Sequence, residues 1–326
     1  MVGEYDWASH GKRTGVTHDH NVNFSGGTDK FQAYGSFGYL NQKSVQPGQE
    51  YTRYSAKVTF DAEPLPYLKI GASVNGAYTE QDYGYSFTKS TTGAGDYYNA
   101  LRAMLPWSVP YDENGDYIRN PNADVNIINP INELDLNVNQ RKRLNVSGVF
   151  YADVNFGKMW KPLEGLRYRV QFGPEFRQYE TGTMNKYGSI NSDYSRKGSW
   201  ARNQNRNWVL DNLIYYDKVF ADVHKVGITL MQSATKNHYD VMSISNSALT
   251  SDSELWYNLG QPADSATPST DYSESQMASY MARLNYSFMD KYLLTASVRR
   301  DGSSVLSAGH KWANFGSAAL AWRIDQ

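Results

Sequence analysis

His18 and His20 stand two positions apart in a stretch that reads as a strand, so both imidazoles point the same way. A metal centre needs a third and a fourth ligand, and the sequence places neither, so the pair is expected at a rim. Asp112, Glu113, Asn114, Gly115 and Asp116 resemble an acidic calcium loop. The glycine comes too early, and no ligating Glu follows at the required spacing. A plain turn is the expectation. Glycoside hydrolysis needs two carboxyls held a few ångströms apart, but the acids here lie singly on strands or in turns. There is no G-x-S-x-G elbow. Gly93, Ala94 and Gly95 lack the surrounding parallel βαβ unit of a dinucleotide fingerprint. The chain has no cysteine, which removes disulfides, thiolate metal sites and thiol nucleophiles together. No enzyme, metal or cofactor is therefore expected. The residues that remain suit binding. Trp107, Tyr111, Trp200 and Trp256 fall in long irregular stretches, where exposed rings stack on sugars or on a partner protein. Their plain alternative is loop packed on loop. Arg167, Arg169 and Arg283 fall on the polar side of strands and suit an anionic substrate, or a merely solvated wall.

The elements that carry these residues follow a period of two. Tyr280, Ala282, Leu284, Tyr286 and Phe288 share one face, and Met281, Arg283, Asn285 and Ser287 the other. After a tight Met289-Asp290-Lys291 turn, Tyr292, Leu294, Ala296 and Val298 are apolar against Thr295, Ser297 and Arg299. Such alternation predicts paired antiparallel strands with one apolar face. The same pattern recurs through Val22 and Phe24, Phe31 to Tyr39, Tyr54 to Phe60, Leu68 to Tyr78, Leu144 to Val154 and Leu166 to Phe176. It returns in a hairpin of Trp208–Tyr216 and Val223–Leu230 around Asp217-Lys218. It lapses over residues 81–142, 181–199 and 235–273, and again over residues 299–313 before a last strand ending at Ile324. Within the first lapse, Tyr97, Leu101, Met104 and Leu105 predict a short amphipathic helix that Pro106 ends.

About eleven strands result, joined alternately by tight turns and longer loops. An outer-membrane barrel puts all short turns on one rim and all long loops on the other, whereas Greek-key crossings make loop lengths irregular. The pattern therefore predicts an all-β, antiparallel up-and-down meander: a curved, open sheet forming part of a transmembrane β-barrel. A soluble two-sheet sandwich is the competing fold.

The totals agree. The 326 residues carry a formal net charge of -1, so nothing points to a nucleic-acid partner. No run of about 18 apolar residues exists to make a membrane helix, but a barrel needs none. Aromatics make up 14%, with 26 tyrosines, which fits interfacial girdles and carbohydrate binding alike. The first residues, MVGEYDWASHGKR, lack the apolar core of a signal peptide.

Four stretches carry a resemblance. They are NVNFSGGTDKFQAYGSFGYLNQKSV with the following YTRYSAKVTF and LKIGASVNGAY; ALRAMLPWSVPYDENGDY; NWVLDNLIYYDKVFADVHKVGITL; and SYMARLNYSFMDKYLLTASVRRDGSS with WANFGSAALAWRI. In these the chain resembles the SusC/RagA family of TonB-dependent outer-membrane transporters of Bacteroidetes. Arg300-Asp301-Gly302-Ser303-Ser304 is the most distinctive segment; Val305 and Leu306 follow where the family often has Arg and Phe. The resemblance implies a barrel of about 22 strands around a plug domain, of which residues 1–326 would be a partial barrel, its N-terminal half. The plug domain and the C-terminal barrel half would be absent from this chain, which also accounts for the missing export signal. It implies import of oligosaccharides or peptides across the outer membrane, energised through TonB-ExbB-ExbD by way of the absent N-terminal part. A SusD-like surface lipoprotein would close the extracellular mouth, the lipid bilayer would surround the wall, and Arg167, Arg169 and Arg283 would face the lumen or the plug. A passive porin-like barrel and a soluble carbohydrate-binding β-protein are the alternatives.

Overall fold

The computed structural model describes residues 4–84, 97–192 and 194–324. Eleven strands form one antiparallel sheet in strict sequence order. They are β1 (Val16–Thr28), β2 (Phe31–Lys43), β3 (Gln49–Leu65), β4 (Leu68–Tyr83), β5 (Asn137–Asn155), β6 (Leu166–Asn185), β7 (Lys197–Phe220), β8 (His224–Asn246), β9 (Ala266–Phe288), β10 (Tyr292–Ser303) and β11 (Trp312–Trp322). Each pairs only with its sequence neighbours, and β1 and β11 are the sheet's two edges. A two-sheet sandwich is thereby overturned. The Tyr286 and Leu294 faces are in register with each other in a single layer.

The connections sort by rim as expected except in the length of residues 156–165, which carry two short 3-10 turns. On one rim lie Asp29-Lys30, Pro66-Tyr67, residues 156–165, Ala221–Val223 and Met289–Lys291; on the other lie residues 44–48, 84–136, 186–196, 247–265 and 304–311. Two of the tight turns run through left-handed backbone, at Ala221 and Asp222 (φ 48° and 60°) and at Met289 and Asp290 (φ 54° and 55°). They are tied together: Met289 N–H donates to the Val223 carbonyl at 2.8 Å, and Lys225 Nζ meets Asp290 at 2.7 Å.

Register assigns the two faces. Ile228, Leu284, Ala296 and Ala318 form one cross-strand row, and Val226, Tyr286, Leu294 and Leu320 the next. Near the tight-turn rim, the rings of His224, Phe288, Tyr292 and Trp322 follow one another at 4.9 to 6.4 Å. Higher up, Tyr280 stacks on Trp312 at 6.1 Å. An apolar band between two aromatic rows is the lipid face of a membrane barrel. The opposite face carries Asn285, Ser287, Thr295, Ser297 and Arg299, and is the lumenal side.

Several boundaries differ from the sequence reading. The hairpin turn is Ala221–Val223, and Asp217 and Lys218 are strand residues paired with Gly227 and Val226. Alanine in left-handed backbone is sterically unfavourable, so the true turn carries no conventional signal. Residues 235–246 and 266–273 belong to β8 and β9, and residues 299–303 to β10. Their side chains are polar on both faces, which hides the alternation. A short helix α1 (Tyr97–Arg102) stands where the amphipathic segment was expected. A second, α2 (Pro130–Leu136), was not foreseen. Gly93, Ala94 and Gly95 lie outside the described residues.

Candidate binding mouth and lumenal wall

The long connection between β4 and β5 builds its own core. Trp7, Tyr97, Ala100, Leu101, Met104 and Ile131 are buried together, with Tyr5, Ile127 and Leu134 against them. The segment before β1 is pinned there: Trp7 Nε1 donates to the Ser108 carbonyl at 3.1 Å, and Tyr5 N–H to the Pro106 carbonyl at 2.7 Å.

Asn129 organises the approach to α2. Its Oδ1 accepts from the Ile131 and Asn132 amides, at 3.1 and 3.4 Å, and so caps the helix whose first residue is Pro130. Its Nδ2 donates to the carbonyls of Pro110 and Ile118 at 2.9 and 3.0 Å. Glu133, 2% exposed, then joins this loop to the one between β6 and β7. Asn137 Nδ2 and Ser189 Oγ donate to its Oε2 at 2.6 and 2.9 Å, and Ile190 N–H to its Oε1 at 3.0 Å. Burial pushes the Glu133 carboxyl up from its ordinary value, outweighing these three donors.

A second core involves the connection between β8 and β9. Met184, Leu249, Trp256 and Leu259 are buried, with Val138, Trp200, Ile244 and Leu255 packed on them. Trp256 covers Gly182 and Leu259 covers Gly198: a Cβ on either glycine would lie 2.1 or 2.7 Å from those side chains. Gly182 and Trp200 are register partners, of the same parity as lipid-facing Phe172 and Leu210. This loop therefore folds against the outer face of the wall, beyond the apolar band.

The expected site residues do not converge. Trp107 is 59% exposed on the long-loop rim. Tyr111 pairs with Tyr117 across a short bridge, rings 4.9 Å apart. Trp256 is 9% exposed and packed. Trp200 belongs to β7 and not to a loop, a correction that follows from the strand's polar continuation. Arg167 meets Asp153 at 2.9 Å and lies over Tyr215 at 4.3 Å. Arg169 lies over Tyr151 at 4.1 Å and donates to Gln171 at 3.1 Å. Arg283 is exposed, paired in register with Ser297 and Thr229. His18 and His20 stack with centroids 6.3 Å apart on edge strand β1. At the acidic turn, Asp112 Oδ1 accepts the amides of Asn114 and Asp116, both at 2.9 Å.

The lumenal wall also holds a group that sequence reasoning missed. Arg141 lies over the Tyr83 ring at 4.5 Å and donates to the hydroxyls of Tyr83 and Tyr179 at 3.0 and 3.3 Å. Arg143 lies over Tyr179 at 4.7 Å. The apparent end of alternation had put Arg141 in a loop; its parity with Asn145 and Ser147 is the signal that places it on the polar face.

No family model matches the sequence. A TonB-dependent receptor of Formosa agariphila is 30% identical over 314 residues, 94% of this chain and 30% of the relative. The TonB-dependent receptor SusC of Bacteroides thetaiotaomicron is 24% identical over 339 residues, 98% of this chain and 32% of SusC. Among solved structures, that of the RagAB peptide transporter superposes with a TM-score of 0.78 at 21% identity, covering 97% of this chain and 35% of that one.

Over nearly its whole length the chain is similar to TonB-dependent receptors, SusC among them, and it has the fold of the matching part of an outer-membrane barrel.

It spans about a third of the length of the SusC/RagA-type relatives it matches. Within that span the alternating rims are those of an outer-membrane barrel, with the long connections on the extracellular side.

Proposed function

We propose that the chain supplies part of the wall and mouth of an energised outer-membrane importer of nutrients, oligosaccharides or peptides. The observation that carries this reading is the sorting of the connections. One rim carries four turns of two or three residues and one ten-residue connection, while the other carries loops with two cores of their own, centred on Leu101 and Trp256. A passive barrel sorts its connections in the same way, and what favours the energised reading over it is the similarity to TonB-dependent receptors. On this reading residues 1–326 are a partial barrel domain, with the plug domain and the C-terminal barrel half lying outside this chain. A SusD-like lipoprotein covers the mouth, and TonB-ExbB-ExbD drives uptake through the plug side. Trp107 and Tyr111 are the ring surfaces offered to substrate or lipoprotein, and Trp200 and Trp256 hold the neighbouring loop. Arg167, Arg169 and Arg283 line the passage.

The test is uptake of labelled oligosaccharides and peptides by cells carrying the complete receptor, with and without TonB and with an uncoupler. Import that stops in both cases supports the proposal. Uptake that continues without either would establish a passive pore.

A further inference from the structure

From β3 to β6 the upper lumenal wall separates charge by face. Cross-strand register puts Arg53, Thr79, Arg143 and Tyr179 on one lumenal row, and Tyr51, Gln81, Arg141 and Thr181 on the next. Neither row carries a carboxylate in β3 to β6. The acids at this height have the opposite parity and face outward. Glu80 meets Lys142 at 3.3 Å, and Asp82 accepts from Gln140 at 3.0 Å. Among the described residues, no carboxylate lies within ion-pair distance of Arg53, Arg141 or Arg143. Arg177, one row below, is by contrast paired with Glu175 at 2.8 Å.

The hydrogen bonding of the patch is also incomplete. Arg141 Nε is buried without an acceptor, and Asn139 Oδ1 and Asn145 Oδ1 without donors. A buried polar atom left without a partner is costly, and a bound group that completes it recovers that cost. The guanidinium groups thus lack a counter-anion. Tyr83 and Tyr179 hold Arg141 and Arg143 in place from their ring faces, so little side-chain freedom is lost when an anion arrives.

We propose that Arg53, Arg141 and Arg143 form a lumenal subsite for the carboxylate or sulfate groups of an anionic oligosaccharide. The proposal rests on the importer reading above and names the substrate class. A sugar acid supplies the anion, and the guanidinium groups of the lumenal rows receive it.

The test is equilibrium binding to the complete receptor in detergent, so that it does not depend on TonB. The probes are a galacturonate hexamer, a chondroitin sulfate hexasaccharide, maltohexaose and a glutamate decapeptide. One or both anionic sugars are expected to bind at least tenfold more tightly than maltohexaose, and the preference is expected to collapse in 0.5 M salt. The double variant Arg141→Gln/Arg143→Gln is expected to lose about tenfold for the anionic sugars and little for maltohexaose, while Arg177→Gln changes neither. Heat-modifiable migration on gels reports whether each variant has folded. If the double variant does not fold, the wild-type salt titration decides. Equal affinity for maltohexaose, a preference indifferent to salt, or tight binding of the peptide alone would overturn the subsite. Failure of TonB-dependent uptake with anionic binding intact would instead overturn the importer reading.

Discussion

Ser189 hands its hydroxyl proton to the Glu133 carboxylate at 2.9 Å, across 56 residues of chain. This bond, with those from Asn137 and Ile190, joins two extracellular loops through one buried acid. Glu133→Ala leaves the Ile190 amide without its acceptor, while Asn137 Nδ2 keeps the Glu133 carbonyl and Ser189 Oγ keeps Asn137 Oδ1. The expected loss is about 1 to 3 kcal/mol of loop-docking stability. Faster amide exchange at Ile190 and Asn191, with the barrel strands still protected, is the result to look for.

The same acid makes the loops pH-sensitive. Its folded pKa is raised above the unfolded value, so the native state binds more protons in the window between the two. Stability then falls as pH rises through that window, starting from the ordinary glutamate range. Protease resistance of the loops should be greater in mildly acidic buffer than at neutral pH, and Glu133→Gln should flatten the difference. A resistance that increases with pH would contradict the sign.

Asn129 does two jobs that substitutions can separate. Asn129→Asp keeps the oxygen that caps α2 but removes the amide donor to Pro110 and Ile118. Asn129→Ala removes both. Losing the cap costs about 0.5 to 2 kcal/mol, but Asn129→Asp turns a buried carboxylate oxygen on two carbonyls, so at 1% exposure the aspartate variant should be the weaker of the two. Exchange at the Ile131 and Asn132 amides measures it.

Gly182 leaves no room for a side chain beneath Trp256. Gly182→Ala should push the indole off the wall at a cost of about 1 to 3 kcal/mol. Faster cleavage within residues 247–265 and a red shift of tryptophan emission would mark the displacement. Unchanged cleavage would show that the ring is not held there.

Leu284 sits near the middle of the apolar band and Asn285 beside it on the lumenal face. Leu284→Arg should lower folding stability by about 2 to 4 kcal/mol in lipid, and Asn285→Arg by much less. Urea titration of the heat-modifiable band in vesicles compares them. Equal losses would contradict the assignment of faces.

Much of the wall was legible because lipid demands an apolar residue at every second position. Tyr280 to Val298 announces its faces without help. The legibility ends where the lipid does. In β8 beyond Lys236 and in β9 before Gln276, both faces meet water, so Asn237, His238 and Asp240 look like loop. Hydrogen bonding continues there all the same, and His238 meets Asp240 at 3.2 Å and Glu274 at 3.5 Å. The Ala221-Asp222 turn was hidden because its backbone carries unfavourable residues that the flanking ladder enforces. The helix α2 was open to reading: Asn129, Pro130 and Glu133 are a cap, a first-turn proline and a first-turn acid. The packing of Trp256 on Gly182 had no sequence signal, since a glycine in a strand does not reveal what covers it.

The paired strands are not of equal length: β7 has 24 residues and β10 has 12. At about 3.3 Å per residue and a tilt of about 40°, that difference is roughly 30 Å of height. Within this sheet the upper rim thus slopes like the lip of a jug, a parapet over β7 to β9 and a low sill over β10 and β11.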